Sequence, residues 1–219
     1  MMQQSTKRYS LGEEIANAIT HGIGAALSVA ALVLLATFAV LYGDVWRVVS
    51  VSIYGATLVL LYLFSTLYHG IQQPRAKEVL RVLDHSAIFL LIAGTYTPLA
   101  LVTLRGPWGW TIFGVIWGIA LVGIVLNAFL MKKLNWLFII LYVVMGWTAV
   151  VAIKPLIAMM PRGGLAWMGI GGLIYTAGVA FYAIKKIPFN HAIWHLFVLG
   201  GSTCHFFGIF YYVLPMPGV

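Results

Sequence analysis

Two histidines, His191 and His195, stand four residues apart in Asn190-His191-Ala192-Ile193-Trp194-His195. On a helix they lie one turn apart on the same face, a spacing at which two imidazoles can reach one metal ion. A third, His69, ends an earlier apolar stretch, with Ser65 one turn before it on the same face. Three neutral imidazoles with water in a fourth position make a catalytic zinc site, where the metal lowers the pKa of its water and polarises a carbonyl. In this reading His69, His191 and His195 supply the nitrogens. Asp84 holds the water or accepts its proton, and Ser65 orients a ligand or touches the reacting oxygen.

The same residues have plainer uses. A lone histidine in a membrane helix can simply hydrogen-bond a neighbouring carbonyl, which serves as well for His21 and His85. Asp84 at a helix start would be a favourable cap. The pair is harder to explain this way, because two buried imidazoles a turn apart need two unrelated partners. His205 lies ten residues beyond His195, about 15 Å along a helix axis. That is too far to share the metal, so His205 is expected to bind helix neighbours or line a cavity with Ser202. Glu13, Asn17 and His21 recur every fourth residue, as one face of a leading helix or as a capped, solvated helix start.

The elements that must position these groups are apolar helices. The chain has 219 residues, 62% hydrophobic and only 8% charged, with a mean hydropathy of +0.99. A soluble domain carries roughly a quarter charged residues, so solubility is excluded. The net charge of +8 is scattered over short loops and forms no stripe that would suit nucleic acid. Cys204 is the single cysteine, which excludes an internal disulfide and a thiolate zinc cluster.

Seven apolar windows run over about 21–42, 48–69, 84–104, 108–131, 134–153, 165–184 and 189–213. Each is near the ~20 residues needed to cross hydrocarbon. They predict an all-α integral membrane protein, one seven-helix domain over residues 1–219. The first window is too long for a signal-peptide core and lacks a small-residue cleavage site. Residues 72–81 form the most charged stretch, while Lys132-Lys133, Lys154-Pro155 and Lys185-Lys186 close three windows. Pro98 removes the helical donor from the carbonyl of Gly94 and predicts a kink, and Pro188 introduces the last helix. Gly114 and Gly118 suggest close helix packing, and Trp46, Trp108, Trp136 and Trp167 an interfacial belt.

The cations set an orientation. One side holds Lys7, Arg8, Arg75, Lys77, Arg81, Lys132, Lys133, Lys185 and Lys186, against Arg47, Arg105, Lys154 and Arg162 on the other. The richer side faces the cytoplasm, which puts the N-terminus inside and the C-terminus outside. His21, His69, Asp84, His85, His191 and His195 then converge on one membrane level at the cytoplasmic side.

Glu13-x3-Asn17-x3-His21, Ser65-Thr66-Leu67-Tyr68-His69, Asp84-His85-Ser86, Gly94-Thr95-Tyr96-Thr97-Pro98 and Asn190-His191-Ala192-Ile193-Trp194-His195 resemble the bacterial hemolysin III family. That family is related to the progestin and adipoQ receptors, including the adiponectin receptors, and more distantly to alkaline ceramidases. The resemblance covers nearly the whole chain. It implies a seven-transmembrane zinc protein of the cell inner membrane, N-terminus in and C-terminus out. By motif it matches His69, His191 and His195 to the relatives' zinc ligands, Asp84 to the aspartate near the zinc water, and Ser65 to the serine beside it. Only about twenty polar residues precede the first window, whereas the eukaryotic relatives carry a longer cytoplasmic region. Reception of a protein hormone therefore does not carry over.

Three function classes fit. One is a zinc-dependent hydrolase acting on a lipid amide, with membrane lipids as partners and substrate. Another is a sensor or regulator of membrane state with structural zinc. The third is a pore-forming cytolysin, although short loops between seven apolar spans suit a resident membrane protein better than a secreted pore-former. The fourth metal position separates them: water there serves chemistry, a side chain such as His21 or His85 serves structure.

Overall fold

The computed structural model describes residues 9–184 and 186–215. Lys7, Arg8 and Lys185, three of the cations in the orientation count, lie outside the described residues. The helices are α1 (Leu11–Tyr42), α2 (Val45–Gly70), α3 (Pro74–Pro98), α4 (Pro107–Gly146), α5 (Ile153–Met159), α6 (Arg162–Ala183) and α7 (Asn190–Tyr212). A π-helical turn, Leu99–Thr103, extends α3, and a 3₁₀ turn, Thr148–Ala152, joins α4 to α5. Among the described residues, seven helical stretches are long and apolar enough to cross a membrane; α4 supplies one and the start of the next. No strand occurs among the described residues.

Two helices start ten residues ahead of their apolar windows, and the cause is capping. Ser10 and Glu13 form a reciprocal capping box, so α1 begins at Leu11. Its 32 residues span about 48 Å, more than the ~30 Å of hydrocarbon, so it extends beyond the apolar layer. The Gln73 side chain caps Ala76 N–H and Pro74 opens α3, which turns most of the charged stretch 72–81 into helix. Asp84 is consequently an interior residue of α3 and caps nothing.

Other breaks are milder than the sequence suggests. Lys132-Lys133 does not end a helix; α4 bends only at Leu134 (φ −123°, ψ 31°). Lys154-Pro155 lies inside α5, and the fifth span runs on to Met159. After Pro98, which has no N–H to give, the backbone changes to π-type bonding and Leu104 N–H reaches Leu99 at 2.8 Å.

α1 and α2 pack closely, α7 lies against both α1 and α6, and α3 joins α2 to α4. Tyr54, Leu58, Leu61 and Tyr62 meet Leu35, Val198 and Ile209 in one core cluster. Phe89, Ala93, Ile116, Phe138 and Met145 form a second between α3 and α4. Gly24 lets α1 approach α2, because a Cβ there would overlap the Tyr62 ring. Gly114 and Gly118, expected at a helix contact, instead have nothing within 4 Å of where their Cβ atoms would be. The α4–α5 stretch meets α6 sparsely, and a cavity lies beside that seam.

Candidate metal centre

The centre is assembled from helices at opposite ends of the chain. Phe189 takes the left-handed backbone conformation (φ 55°), and Asn190 donates its amide to the carbonyls of Tyr182 and Ile184 at 3.2 and 3.3 Å. This tie fixes the start of α7 against the end of α6. One turn of α7 then brings His191 and His195 to His69, the penultimate residue of α2. All three are buried, and one ligand nitrogen from each lies within 4.8 Å of the others. His69 Nε2 and His191 Nε2 are 3.2 Å apart. These three side chains can hold a metal ion.

Neighbours fix the rings. His69 Nδ1 meets a Glu14 carboxylate oxygen at 2.7 Å, and the other Glu14 oxygen accepts from Lys77 Nζ at 2.6 Å. An N–H at Nδ1 leaves Nε2 of His69 unprotonated in the neutral ring, free to bind. Thr20 Oγ1 lies 3.2 Å from His195 Nδ1 and also donates to backbone carbonyls of its own helix. His191 Nδ1 is buried without a partner. Tyr9 lies over the centre, its ring 5.0 Å from that of His191 and 5.9 Å from that of His69. Burial there pushes the Tyr9 hydroxyl pKa up.

The remaining sequence candidates fall into distinct places. Ser65 is buried one turn before His69, and its hydroxyl has no hydrogen-bond partner. Asp84 sits close enough to His69 and His191 to interact electrostatically with both, and its Oδ2 is 3.4 Å from His85 Nδ1. The same His85 Nδ1 lies 3.0 Å from the Arg81 carbonyl. His21 stacks on His195 with 3.5 Å between ring centroids, and neither of its buried nitrogens makes a well-formed hydrogen bond. No fourth His, Cys, Asp or Glu joins the three-histidine group among the described residues.

Of the two readings of Glu13 the capped helix start holds, whereas Glu14, not Glu13, shares the buried face. Glu13 belongs to the capping box, and its neighbour Glu14 faces the centre with Asn17 and His21. Residues 14, 17, 21, 24 and 28 are buried, a spacing of alternately three and four. That rhythm stays on one helix face, whereas steps of four drift about 40° each. Thr20, Lys77 and Tyr9 carry no comparable sequence signal.

Beside the centre lies a cavity of about 150 Å³. Asp84 and His21 line it at the histidine level, and Leu91, Val143, Val179 and Val198 make its wall predominantly apolar. His205 lines it deeper in the bundle and its Nδ1 bonds the Gly201 carbonyl, so it both binds a helix neighbour and faces the cavity, but without the expected Ser202 beside it. Ser202 is not on that wall; Tyr62 and Tyr175 each reach its hydroxyl at 2.8 Å.

Comparison with known proteins gives concordant results. The sequence model of a family described as Haemolysin-III related matches residues 9–206. Hemolysin-3 of Bacillus cereus is 51% identical over 203 residues, covering 93% of each chain. The Hemolysin-3 homolog of Bacillus subtilis (strain 168) is 49% identical over 209 residues, 95% of this chain and 98% of the relative. Monocyte to macrophage differentiation factor of Homo sapiens is 30% identical over 211 residues, 94% of this chain and 86% of the relative.

Proposed function

The chain belongs to the Haemolysin-III related family, and from that premise we propose that it is a zinc-dependent hydrolase of the inner membrane acting on a lipid amide. The observation that carries this reading is a buried three-histidine group that no fourth His, Cys, Asp or Glu joins among the described residues, beside an apolar cavity with a carboxylate on its wall. The residues fit zinc. Two nitrogens bound to one tetrahedral zinc ion lie roughly 3.3 Å apart, given Zn–N distances of about 2.0–2.1 Å, and the His69 and His191 Nε2 atoms are 3.2 Å apart. Neutral nitrogens with Glu14 and Thr20 behind two of the rings make a suitable donor set.

His69, His191 and His195 would hold the ion. When bound, zinc supplies Lewis acidity towards a carbonyl and a water of near-neutral pKa. Glu14 keeps the His69 ring oriented, with Lys77 holding the carboxylate in turn. Asp84 accepts the proton of the attacking water and returns it to the departing amine nitrogen. Ser65, whose hydroxyl is unspent, donates to the substrate oxygen. Apolar walls take the acyl chain and exclude bulk water. The nine-to-four excess of cations on one side supports a cytoplasmic position for the centre.

The wall also weighs against conduction. Thr95, Tyr96, Tyr142 and Thr176 donate their hydroxyl protons to backbone carbonyls, which leaves little polar surface for an ion path. The test offers ceramide-like and other acyl lipids to nanodisc-embedded protein and follows fatty-acid release. Asp84→Asn should lose ~10²–10⁴-fold in rate while keeping its metal. Turnover retained in full by that variant would refute the assignment of Asp84, and no hydrolysis of any lipid would favour the sensor reading.

A further inference from the structure

The cavity beside the histidine centre has a second polar end. His205 is ten residues past His195 on α7, about 15 Å along the axis, and it lines the same cavity as Asp84. Its ring is built into place. Nδ1 donates to the Gly201 carbonyl at 2.8 Å. One face stacks on Tyr175, with 5.4 Å between centroids and 29° between planes. α6 presents Gly171 to the ring, where any Cβ would overlap Cε1 and Nδ1.

A carbonyl only accepts, so Nδ1 carries the proton and Nε2 of the neutral ring is a lone-pair acceptor. The neighbouring wall hydroxyls do not serve it. Thr95 donates to Leu91, Tyr96 to Gly146, Tyr142 to His85 and Thr176 to Gly172, while Tyr175 pairs with Ser202. A water satisfies such a site well only with 2–4 polar partners, and this wall is mostly apolar. With about 150 Å³, the cavity is roughly ten times the ~10–15 Å³ that one water needs.

We propose that His205 is a second binding subsite, taking a hydroxyl carried at the far end of a ligand's aliphatic chain. It rests on the lipid reading above for the ligand's carbonyl end. An extended chain advances about 3.5 Å for every three bonds, so ~15 Å of helix axis corresponds to roughly a dozen carbons between carbonyl and hydroxyl. The ligand class is therefore a terminally hydroxylated chain of medium length.

The experiment measures binding of dodecanoate, 6-hydroxydodecanoate and 12-hydroxydodecanoate to zinc-loaded protein in nanodiscs, by competition with a radiolabelled fatty acid. Wild type should bind the 12-hydroxy acid roughly three- to tenfold tighter than dodecanoate, with no such gain for the 6-hydroxy acid. His205→Phe keeps a flat ring against Gly171 and should abolish the preference while binding dodecanoate as wild type does. Should that variant fail to fold, the three acids on wild type still decide. Equal binding of the 12-hydroxy acid and dodecanoate, or an equal gain from both hydroxy acids, overturns the subsite alone. Binding of none of the three overturns it together with the lipid reading.

Discussion

Glu14→Gln tests the carboxylate behind the metal centre. Both Glu14 oxygens are in use, one at 2.7 Å from His69 Nδ1 and one at 2.6 Å from Lys77 Nζ. Glutamine keeps a single acceptor oxygen and no charge, so it cannot serve both partners. Loss of such an outer partner typically costs 10–100-fold in metal affinity, which is about 1.4–2.8 kcal/mol. The low end applies if the amide oxygen stays with His69, the high end if it turns to Lys77. Lys77→Met, which leaves the carboxylate on His69, should cost less than either. The assay is zinc competition against a chromogenic chelator, with protein in nanodiscs at fixed pH. Glu13→Gln is the control: glutamine can still complete the capping box with Ser10, so affinity should stay within twofold. Unchanged affinity in Glu14→Gln, or the same loss in both variants, refutes the argument.

Metal analysis should find about one zinc per chain, as a single tetrahedral centre requires. His191→Ala and His195→Ala should each lose most of it and His205→Ala none, so equal occupancy in all three would remove the ligand set. Reporter fusions at Lys133 and Gly218 should lie on the cytoplasmic and external sides respectively; two cytoplasmic signals would invalidate the span count or the orientation.

Much of the architecture is legible because hydrocarbon imposes a length on each span, and that length is visible as apolar runs. The His191/His195 spacing is equally plain, since it is fixed by one helix turn. What escapes sequence reading lies where local chemistry overrides hydropathy. Gln73 and Pro74 start a helix inside the most charged stretch, and a hydropathy window cannot register a cap. Glu14 differs from Glu13 only in phase, which becomes decidable once Ser10 is seen to engage Glu13. Tyr9, Thr20 and Lys77 reach the centre through tertiary placement, to which no spacing in the chain corresponds. The cavity depends on which helices fail to touch, and that is a property of the assembled bundle.

The separation of the ligands along the chain has a consequence for biogenesis. His69 and His191 are 122 residues apart, so at about 5–20 residues per second roughly 6–25 s of synthesis separate them. During that interval Glu14 and Lys77, both made within the first three helices, already supply His69 with its partners. Capture of a metal by all three histidines would have to wait for the last helix to insert between its neighbours. A metal held by all three histidines would therefore count finished molecules, and a chain stalled before α7 enters the membrane has one candidate ligand of three.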